Sequence, residues 1–281
     1  MASISRRNFL AGSASAVALA GLAACGGQGA SESSSSASGA SSSASSSADY
    51  TLVTPGKLTV VSELGFSPFE YIDDDGNTVG FDVDVSKALA EKLGLEAEWL
   101  PNQAFDTLVP TIKQGGKADV AIAGMTITDE RLEQVDFTDA YLDSNQGLVV
   151  GKDSGETEET LNDASKQVAC QSGTTGEMWI QENLPNATLV PLQDVTAGMM
   201  GVQTGLYNGM VIDLPVAQNL IAESFTDLTV ALEIPTGEQY GIAVSKDNPG
   251  LKDALNDALQ AIEDDGTMDG IKQTWFGTTE I

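Results

Sequence analysis

One arginine outside the N-terminal leader stands at the end of a run rich in glycine and threonine. Arg131 closes the run Gly124-Met125-Thr126-Ile127-Thr128-Asp129-Glu130-Arg131, and the only other arginines are Arg6 and Arg7. A guanidinium offers donors in a planar fork that matches both oxygens of a carboxylate. We therefore expect Arg131 to bind a carboxylate. The alternative is a surface ion pair with Asp129 or Glu130, a type of pair that is common and weak.

Composition excludes several classes of function. With residues 1–24 removed, 41 acidic residues remain against 11 basic ones, because Arg6 and Arg7 leave with the leader. The resulting charge near -30 excludes nucleic acid as a partner. The chain has no histidine, which removes the commonest general base and zinc ligand. We expect no cofactor, no metal site and no catalytic residue. Of the two cysteines, Cys170 is expected to be a small buried hydrophobe.

The N-terminal segment carries export signals. Ser5-Arg6-Arg7-Asn8-Phe9-Leu10 predicts a twin-arginine (Tat) signal, and the apolar stretch that follows, to about residue 24, is too short to span a membrane. Leu22-Ala23-Ala24-Cys25 resembles the lipobox of bacterial lipoproteins, whereas the alternative is an ordinary cleavage site with an incidental cysteine. We predict a signal peptide over residues 1–24, then lipidated Cys25 and a Ser/Ala/Gly linker through residue 48 that cannot bury apolar surface.

From residue 57 onward, apolar strands alternate with amphipathic helices. Strands are predicted at residues 58–61, 120–123, 167–170, 210–212 and 240–244. Helices are predicted at residues 82–93, 195–204, 215–222, 251–262 and 268–275, and an apolar stripe from Phe105 to Ile112 indicates one more. This alternation is typical of an α/β protein with largely parallel sheets.

Several ordered motifs then resemble one family. They are Gly65-Phe66-Ser67-Pro68-Phe69-Glu70-Tyr71, Gly80-Phe81-Asp82-Val83-Asp84-Val85, the stretch from Asp119 to Arg131, Gln171-Ser172-Gly173-Thr174-Thr175-Gly176, and Tyr240-Gly241-Ile242-Ala243-Val244. Together they are similar to the family 3 solute-binding proteins of amino-acid ABC importers. The resemblance implies a type II periplasmic-binding-protein-like fold, in which two α/β lobes are joined by two crossovers and the ligand is buried between them. We expect lobe 1 at residues 49–142 plus 240–281, lobe 2 at residues 143–239, and crossovers near residues 143–148 and 236–240.

The resemblance also implies a ligand site. Arg131 would bind the α-carboxylate of an amino acid, helped by donors of the turns that contain Gly124, Thr126, Thr174 and Thr175. Asp213 would bind the α-amino group, although an Asp before Pro215 is also a common helix N-cap. Phe66 and Phe105 would form aromatic walls, and Phe105 fits a core position equally well. Glu63 would meet the distal polar group of the ligand, or be a solvated surface residue, and Gln171 would line the cleft.

These expectations favour an extracytoplasmic receptor, monomeric and lipid-anchored, that delivers a polar or basic amino acid to the membrane subunits of an ABC importer. The signals leave a cell surface and a periplasm equally open. Two alternatives share this fold. A cyclohexadienyl-dehydratase-like enzyme could use Glu63 and Asp213 as acid and base. An amino-acid sensor domain is expected to continue into a membrane helix and a kinase, for which the sequence to Ile281 gives no sign.

Overall fold

Short apolar strands and the helices that follow them form two α/β lobes. The computed structural model describes residues 49–280, so the predicted signal peptide, Cys25 and the linker lie outside the described residues. The strands are β1 (Lys57–Val61), β2 (Gly65–Phe66), β3 (Glu70–Ile72), β4 (Thr78–Val79), β5 (Glu96–Trp99), β6 (Val120–Ala121), β7 (Asp136–Phe137), β8 (Leu142–Gly151), β9 (Gln167–Gln171), β10 (Thr188–Leu192), β11 (Gly209–Asp213), β12 (Leu228–Tyr240) and β13 (Ala243–Val244). The helices are α1 (Phe81–Leu93), α2 (Leu108–Gln114), α3 (Asp129–Leu132), α4 (Glu158–Leu161), α5 (Thr175–Asn183), α6 (Val195–Gln203), α7 (Leu214–Glu223), α8 (Pro249–Asp264) and α9 (Thr267–Phe276), and a 3-10 turn at Phe105–Thr107 precedes α2.

Each lobe is organised around one five-stranded sheet. The sheet of lobe 1 has the order β5-β1-β6-β13-β7, and the sheet of lobe 2 has the order β10-β9-β11-β8-β12; a small sheet β2-β3-β4 is separate from both. In each large sheet four of the five strands run in the same direction, and one strand, β13 in lobe 1 and β8 in lobe 2, runs antiparallel to its two neighbours. The expectation of largely parallel sheets therefore holds for strand direction, although two of the four pairings in each sheet are antiparallel.

Two long strands connect the lobes. β8 and β12 pair antiparallel over most of their length, from Leu228 opposite Gly151 to Tyr240 opposite Leu142. Tyr240 therefore ends the second crossover, and the strand predicted at residues 240–244 is shortened to Ala243–Val244. On this pairing we propose the lobe boundaries expected from the sequence, residues 49–142 plus 240–281 for lobe 1 and 143–239 for lobe 2.

Glycines and apolar periodicity fix the helices of lobe 1. A Cβ on Gly80 would lie 2.0 Å from the carbonyl oxygen of Phe69, and φ at Gly80 is 138°, so only glycine fits directly before α1. The helix ends at Gly94, which is left-handed. Leu251, Leu255 and other buried residues of α8 follow helical spacing, and α8 packs against α1. The lobe 1 scaffold is thus a sheet covered by helices, which fixes the strand ends from which the site is built.

Candidate functional site

A small cavity lies between the two lobes. It has a volume of about 10 Å³, close to the roughly 10 to 15 Å³ that one water molecule needs. Larger hollows of about 250 and 350 Å³ occur at the surface, but neither is lined by an aromatic or basic side chain. Nine of the ten predicted ligand residues line the interlobe cavity, namely Phe66, Phe105, Gly124, Thr126, Arg131, Gln171, Thr174, Thr175 and Asp213.

Arg131 lies on α3 and points into this cavity. Its side chain is buried, with 6% of the residue exposed, so the alternative of a surface ion pair is wrong. Nη1 donates to the carbonyl oxygen of Thr126 at 2.6 Å, and Nη2 donates across the cleft to the carbonyl oxygen of Gly173 at 3.0 Å. The guanidinium carbon lies 5.2 Å from the ring centre of Phe105, a cation–π distance.

The charge of this guanidinium is not neutralised by direct contact. None of the ion pairs between described residues includes Arg131. Burial lowers the pKa of Arg131, while the negative charges of Asp213 and Glu238 oppose that shift. Two of its five N–H donors are used on backbone oxygens, so three remain. A buried cation with spare donors can bind an anion from the cleft.

Asp213 ends β11 and reaches the same cavity from lobe 2. It stands at the N-cap position of α7, but its side chain makes no capping hydrogen bond. Instead, its Oδ1 accepts a hydrogen bond from the hydroxyl of Tyr240. Burial, together with the nearby charge of Glu238, raises the pKa of Asp213 to about 7. Asp213 therefore occupies the N-cap position without acting as a side-chain cap, and none of the ion pairs between described residues includes it.

The turn between β6 and α3 brings the backbone of lobe 1 close to the aromatic walls. A Cβ on Gly124 would lie 2.9 Å from the Phe66 ring, and φ at Gly124 is +49°, so a side chain here would displace the ring. Asp82, at the start of α1, accepts a hydrogen bond from the amide of Gly124 at 2.8 Å and another from the hydroxyl of Tyr141 at 2.9 Å. Burial raises the pKa of Asp82 to about 6. Asp82 thus holds the turn that contains Gly124 and Thr126 in place.

Lobe 2 presents the start of α5 to the cavity. Thr174 is the N-cap, and its hydroxyl accepts a hydrogen bond from the amide of Glu177 at 3.3 Å. Thr175 and Gly176 occupy the first turn, where backbone N–H groups have no carbonyl partner within the helix. A helix N-terminus also attracts negative charge. Thr174 and Thr175, at this helix start, line the same cavity as Arg131.

Glu63 and Gln171 form a hydrogen-bonded pair beside the cavity. Glu63 follows β1 and is 7% exposed, so the alternative of a solvated surface residue is wrong, although Glu63 does not line the cavity itself. Its Oε2 has no hydrogen-bond partner in the described residues. Burial raises the pKa of Glu63 to about 7; the charge of Asp194 adds to the shift, and a hydrogen bond from Gln171 opposes it. This carboxyl is suited to a cationic or hydrogen-bond-donating group.

Direct contacts hold the lobes together around the cavity. Asp106 Oδ2 accepts hydrogen bonds from Ser172 Oγ at 3.4 Å and Gln193 Nε2 at 3.2 Å, both in lobe 2. On another part of the rim, Asn219 Nδ2 donates to Ser67 Oγ at 3.1 Å. With the Arg131 contact across the cleft, these bonds describe a closed arrangement.

Sequence reasoning missed three residues behind the lining, namely Gln146, Glu238 and Tyr240. Glu238 Oε2 accepts hydrogen bonds from Thr126 Oγ1 at 2.7 Å, Thr175 Oγ1 at 3.0 Å and Gln146 Nε2 at 3.2 Å. Glu238 and Tyr240 are two residues apart on an extended crossover and therefore share one face, but the residue order alone does not mark that face as buried. In the described residues, no group of acidic or cysteine side chains could hold a metal ion.

A family model described as bacterial extracellular solute-binding proteins, family 3, matches residues 58–278. The chain is 35% identical over 216 residues to the ABC transporter arginine-binding protein 1 of Escherichia coli (strain K12), which covers 75% of this chain and 87% of that protein.

Solved structures agree with this match. An ancestral arginine-binding protein bound to arginine has a TM-score of 0.74 and 37% identity, covering 79% of this chain and 98% of that chain. The ancestral amino acid-binding protein AncCDT-1, a precursor of cyclohexadienyl dehydratase, has a TM-score of 0.73 and 34% identity, covering 79% of this chain and 96% of that chain. The chain thus belongs to the bacterial extracellular solute-binding proteins of family 3.

Proposed function

We propose that this protein is an extracytoplasmic receptor that captures a polar or basic α-amino acid between its lobes and delivers it to the membrane subunits of an ABC importer. One observation carries the proposal. Arg131 is buried in the interlobe cavity with spare donors, and Asp213 enters the same cavity from the other lobe without a cationic partner. An α-amino acid supplies the two missing partners, a carboxylate and an ammonium group. Relatives whose names include arginine binding support this class of ligand.

Binding requires the lobes to separate and close again. A cavity of about 10 Å³ cannot admit an amino acid. The two crossovers β8 and β12 are the natural hinge, and contacts such as Asp106 with Ser172 would break on opening. A ligand that contacts both lobes binds the closed arrangement more tightly than the open one. It shifts the equilibrium towards the closed arrangement by that difference in affinity.

A thermal-shift screen of residues 49–281 against the proteinogenic amino acids tests the proposal. Arginine, lysine, histidine and glutamine are the first candidates. A ligand at 100 times its dissociation constant stabilises the folded domain by about 2.7 kcal/mol. The proposal is refuted if no amino acid raises the unfolding temperature.

A dehydratase remains the second candidate, since the AncCDT-1 structure is described as a precursor of such an enzyme. Glu63 and Asp213 both have pKa values raised to about 7 by burial, as an acid and a base working near neutral pH would need. We nevertheless propose that this chain is not an enzyme, because the relatives above are described as binding proteins or as an enzyme precursor that binds amino acids. Incubation with prephenate or arogenate, followed by a search for product, decides between the two.

The proposed location depends on residues outside those described. We propose that Arg6 and Arg7 direct twin-arginine export, that Cys25 is lipidated, and that the domain acts as an anchored monomer. Among residues 49–280, no helix is long and apolar enough to cross a membrane. Cys25→Ala should release the exported protein from membrane fractions, whereas retention in the membrane would contradict the lipid anchor.

A further inference from the structure

Glu238 stands behind the cavity, on the second crossover, and is 8% exposed. It is absent from the cavity lining, yet its Oε2 contacts the hydroxyls of two lining residues, Thr126 in lobe 1 and Thr175 in lobe 2. Gln146, on the first crossover, donates to the same oxygen. One carboxylate oxygen on the hinge therefore meets three donors that come from both sides of the cleft.

These contacts fix the direction of both hydroxyls. A threonine hydroxyl has one proton to donate and two lone pairs that accept. The Thr126 proton is used on Glu238 at 2.7 Å. Thr175 accepts from the Gln146 amide nitrogen, which can only donate, at 3.2 Å, and passes its own proton to Glu238 at 3.0 Å. Neither hydroxyl therefore has a proton left for the cleft; Thr126 keeps both of its lone pairs, and Thr175 keeps one.

From this arrangement we infer that Glu238 is a positioning residue that makes the Thr126 and Thr175 hydroxyls acceptors for the α-ammonium group of the ligand. The inference rests on the proposed function and deepens it. The ligand carboxylate is left to the spare donors of Arg131 and to the amides at the start of α5. The ammonium then meets Asp213 together with two oriented hydroxyl oxygens. The cleft thereby distinguishes α-amino acids from carboxylic acids that lack the amino group.

The contrasting role is a plain latch, because the same bonds tie the two lobes together. A latch contributes to closure with any ligand, so its loss would weaken all ligands by the same factor. A positioning role affects only ligands that carry the ammonium group. The two roles therefore predict different changes in one ratio, the affinity for an amino acid divided by the affinity for its analogue without the amino group. This ratio is independent of folding and of the closure energy.

Two variants separate polarity from charge. Glu238→Met removes the acceptor at similar length, so the hydroxyl protons become free to point into the cleft. Glu238→Gln keeps an amide oxygen that accepts from both hydroxyls but removes the charge. Glu233→Met makes the same substitution at an exposed position of the same strand β12 and is the matched control.

Isothermal titration with L-arginine and with 5-guanidinopentanoic acid, its analogue without the amino group, tests the inference in the full described domain. L-Glutamine and 4-carbamoylbutanoic acid form a second pair. We expect Glu238→Met to weaken the amino acid by about 10- to 100-fold, the usual loss of a hydrogen bond to a charged group. The analogue should change little, and Glu238→Gln should retain most of the ratio.

Equal weakening of amino acid and analogue by Glu238→Met would overturn the inference in favour of the latch. An unchanged amino-acid affinity would overturn it as well. Failure of the wild-type protein to bind either amino acid is a separate result, which counts against the proposed function rather than against the orientation of the hydroxyls alone.

Discussion

Replacing Arg131 by lysine should remove most of the affinity for an amino acid while preserving the positive charge. Two guanidinium donors are used on Thr126 and Gly173, and three remain for the ligand. A lysine ammonium has three donors in all, so if it makes the same two backbone bonds, one donor is left and the two-point contact with the carboxylate is lost. Truncating a buried hydrogen-bonded charge partner costs about 2 to 5 kcal/mol, or from about 30-fold to several thousand-fold in affinity.

Calorimetry with the best ligand of the thermal-shift screen measures this loss directly. The loss of affinity for Arg131→Ala should lie at the upper end of this range. In that variant the ligand carboxylate lies near Asp213 with no cation beside it. The unfolding temperature of the ligand-free variants serves as the control for folding. Wild-type affinity in a folded Arg131→Lys variant would refute the assignment of the guanidinium to the ligand carboxylate.

Four further outcomes follow from the site. Asp213 must be ionised to hold an ammonium, and burial raises its pKa to about 7, so affinity should fall by up to about tenfold per pH unit below 7, measured by titration between pH 5 and 8. Between the ordinary value of 3.8 and about 7 the native state holds this proton and the unfolded chain does not, so the ligand-free domain should lose stability as pH rises; a stability that increases across this window would contradict the shift. Glu63→Gln should weaken arginine about 10-fold or more and leave glutamine within about threefold, since a charged hydrogen bond is replaced by a neutral one; equal effects on both ligands would remove Glu63 from the distal site. Asp106→Ala breaks its bonds to Ser172 and Gln193 and should speed ligand dissociation about 2- to 10-fold in stopped-flow traces, whereas an unchanged rate would show that this contact does not hold the cleft closed.

The elements of the fold were predictable where a helix or strand carries its own boundary signals. The predicted helix at residues 82–93 is observed as Phe81–Leu93, because Gly94 stops it and acidic residues begin it. The predicted helix at residues 251–262 is observed as Pro249–Asp264, because its buried residues form a continuous apolar stripe. In contrast, the single strand predicted at residues 240–244 is wrong, because the apolar residues Tyr240 and Ala243 belong to two different strands. Tyr240 packs behind the site, whereas Ala243 belongs to the sheet of lobe 1.

The lining of the cavity was likewise accessible from sequence, since lone charges such as Arg131 and glycine-threonine turns are visible in the residue order. The support behind the lining was not. Glu238 and Gln146 are distant in sequence from the threonines that they contact, and only the pairing of β8 with β12 brings them together. A buried carboxylate on a crossover is indistinguishable in sequence from an exposed one such as Glu233, which is on the same strand.

Charge is the property of the cleft that most restricts its ligand. One guanidinium, that of Arg131, stands against carboxyl groups at Asp213, Glu238 and Glu63, all with less than a tenth of the residue exposed. A neutral amino acid brings equal positive and negative charge and leaves that excess unchanged. An acidic one increases it, and desolvated like charges repel strongly. A basic amino acid adds one cation to the cleft, and we expect that cation to bind the Glu63 oxygen that has no partner among the described residues. Burial raises the pKa values of Glu63 and Asp213 to about 7, because a desolvated carboxyl without a cation in direct contact retains its proton. A ligand with two cationic groups displaces both of those protons, whereas a neutral amino acid displaces only one, so its advantage over a neutral amino acid should shrink as the pH falls below about 7 and recover as the pH rises.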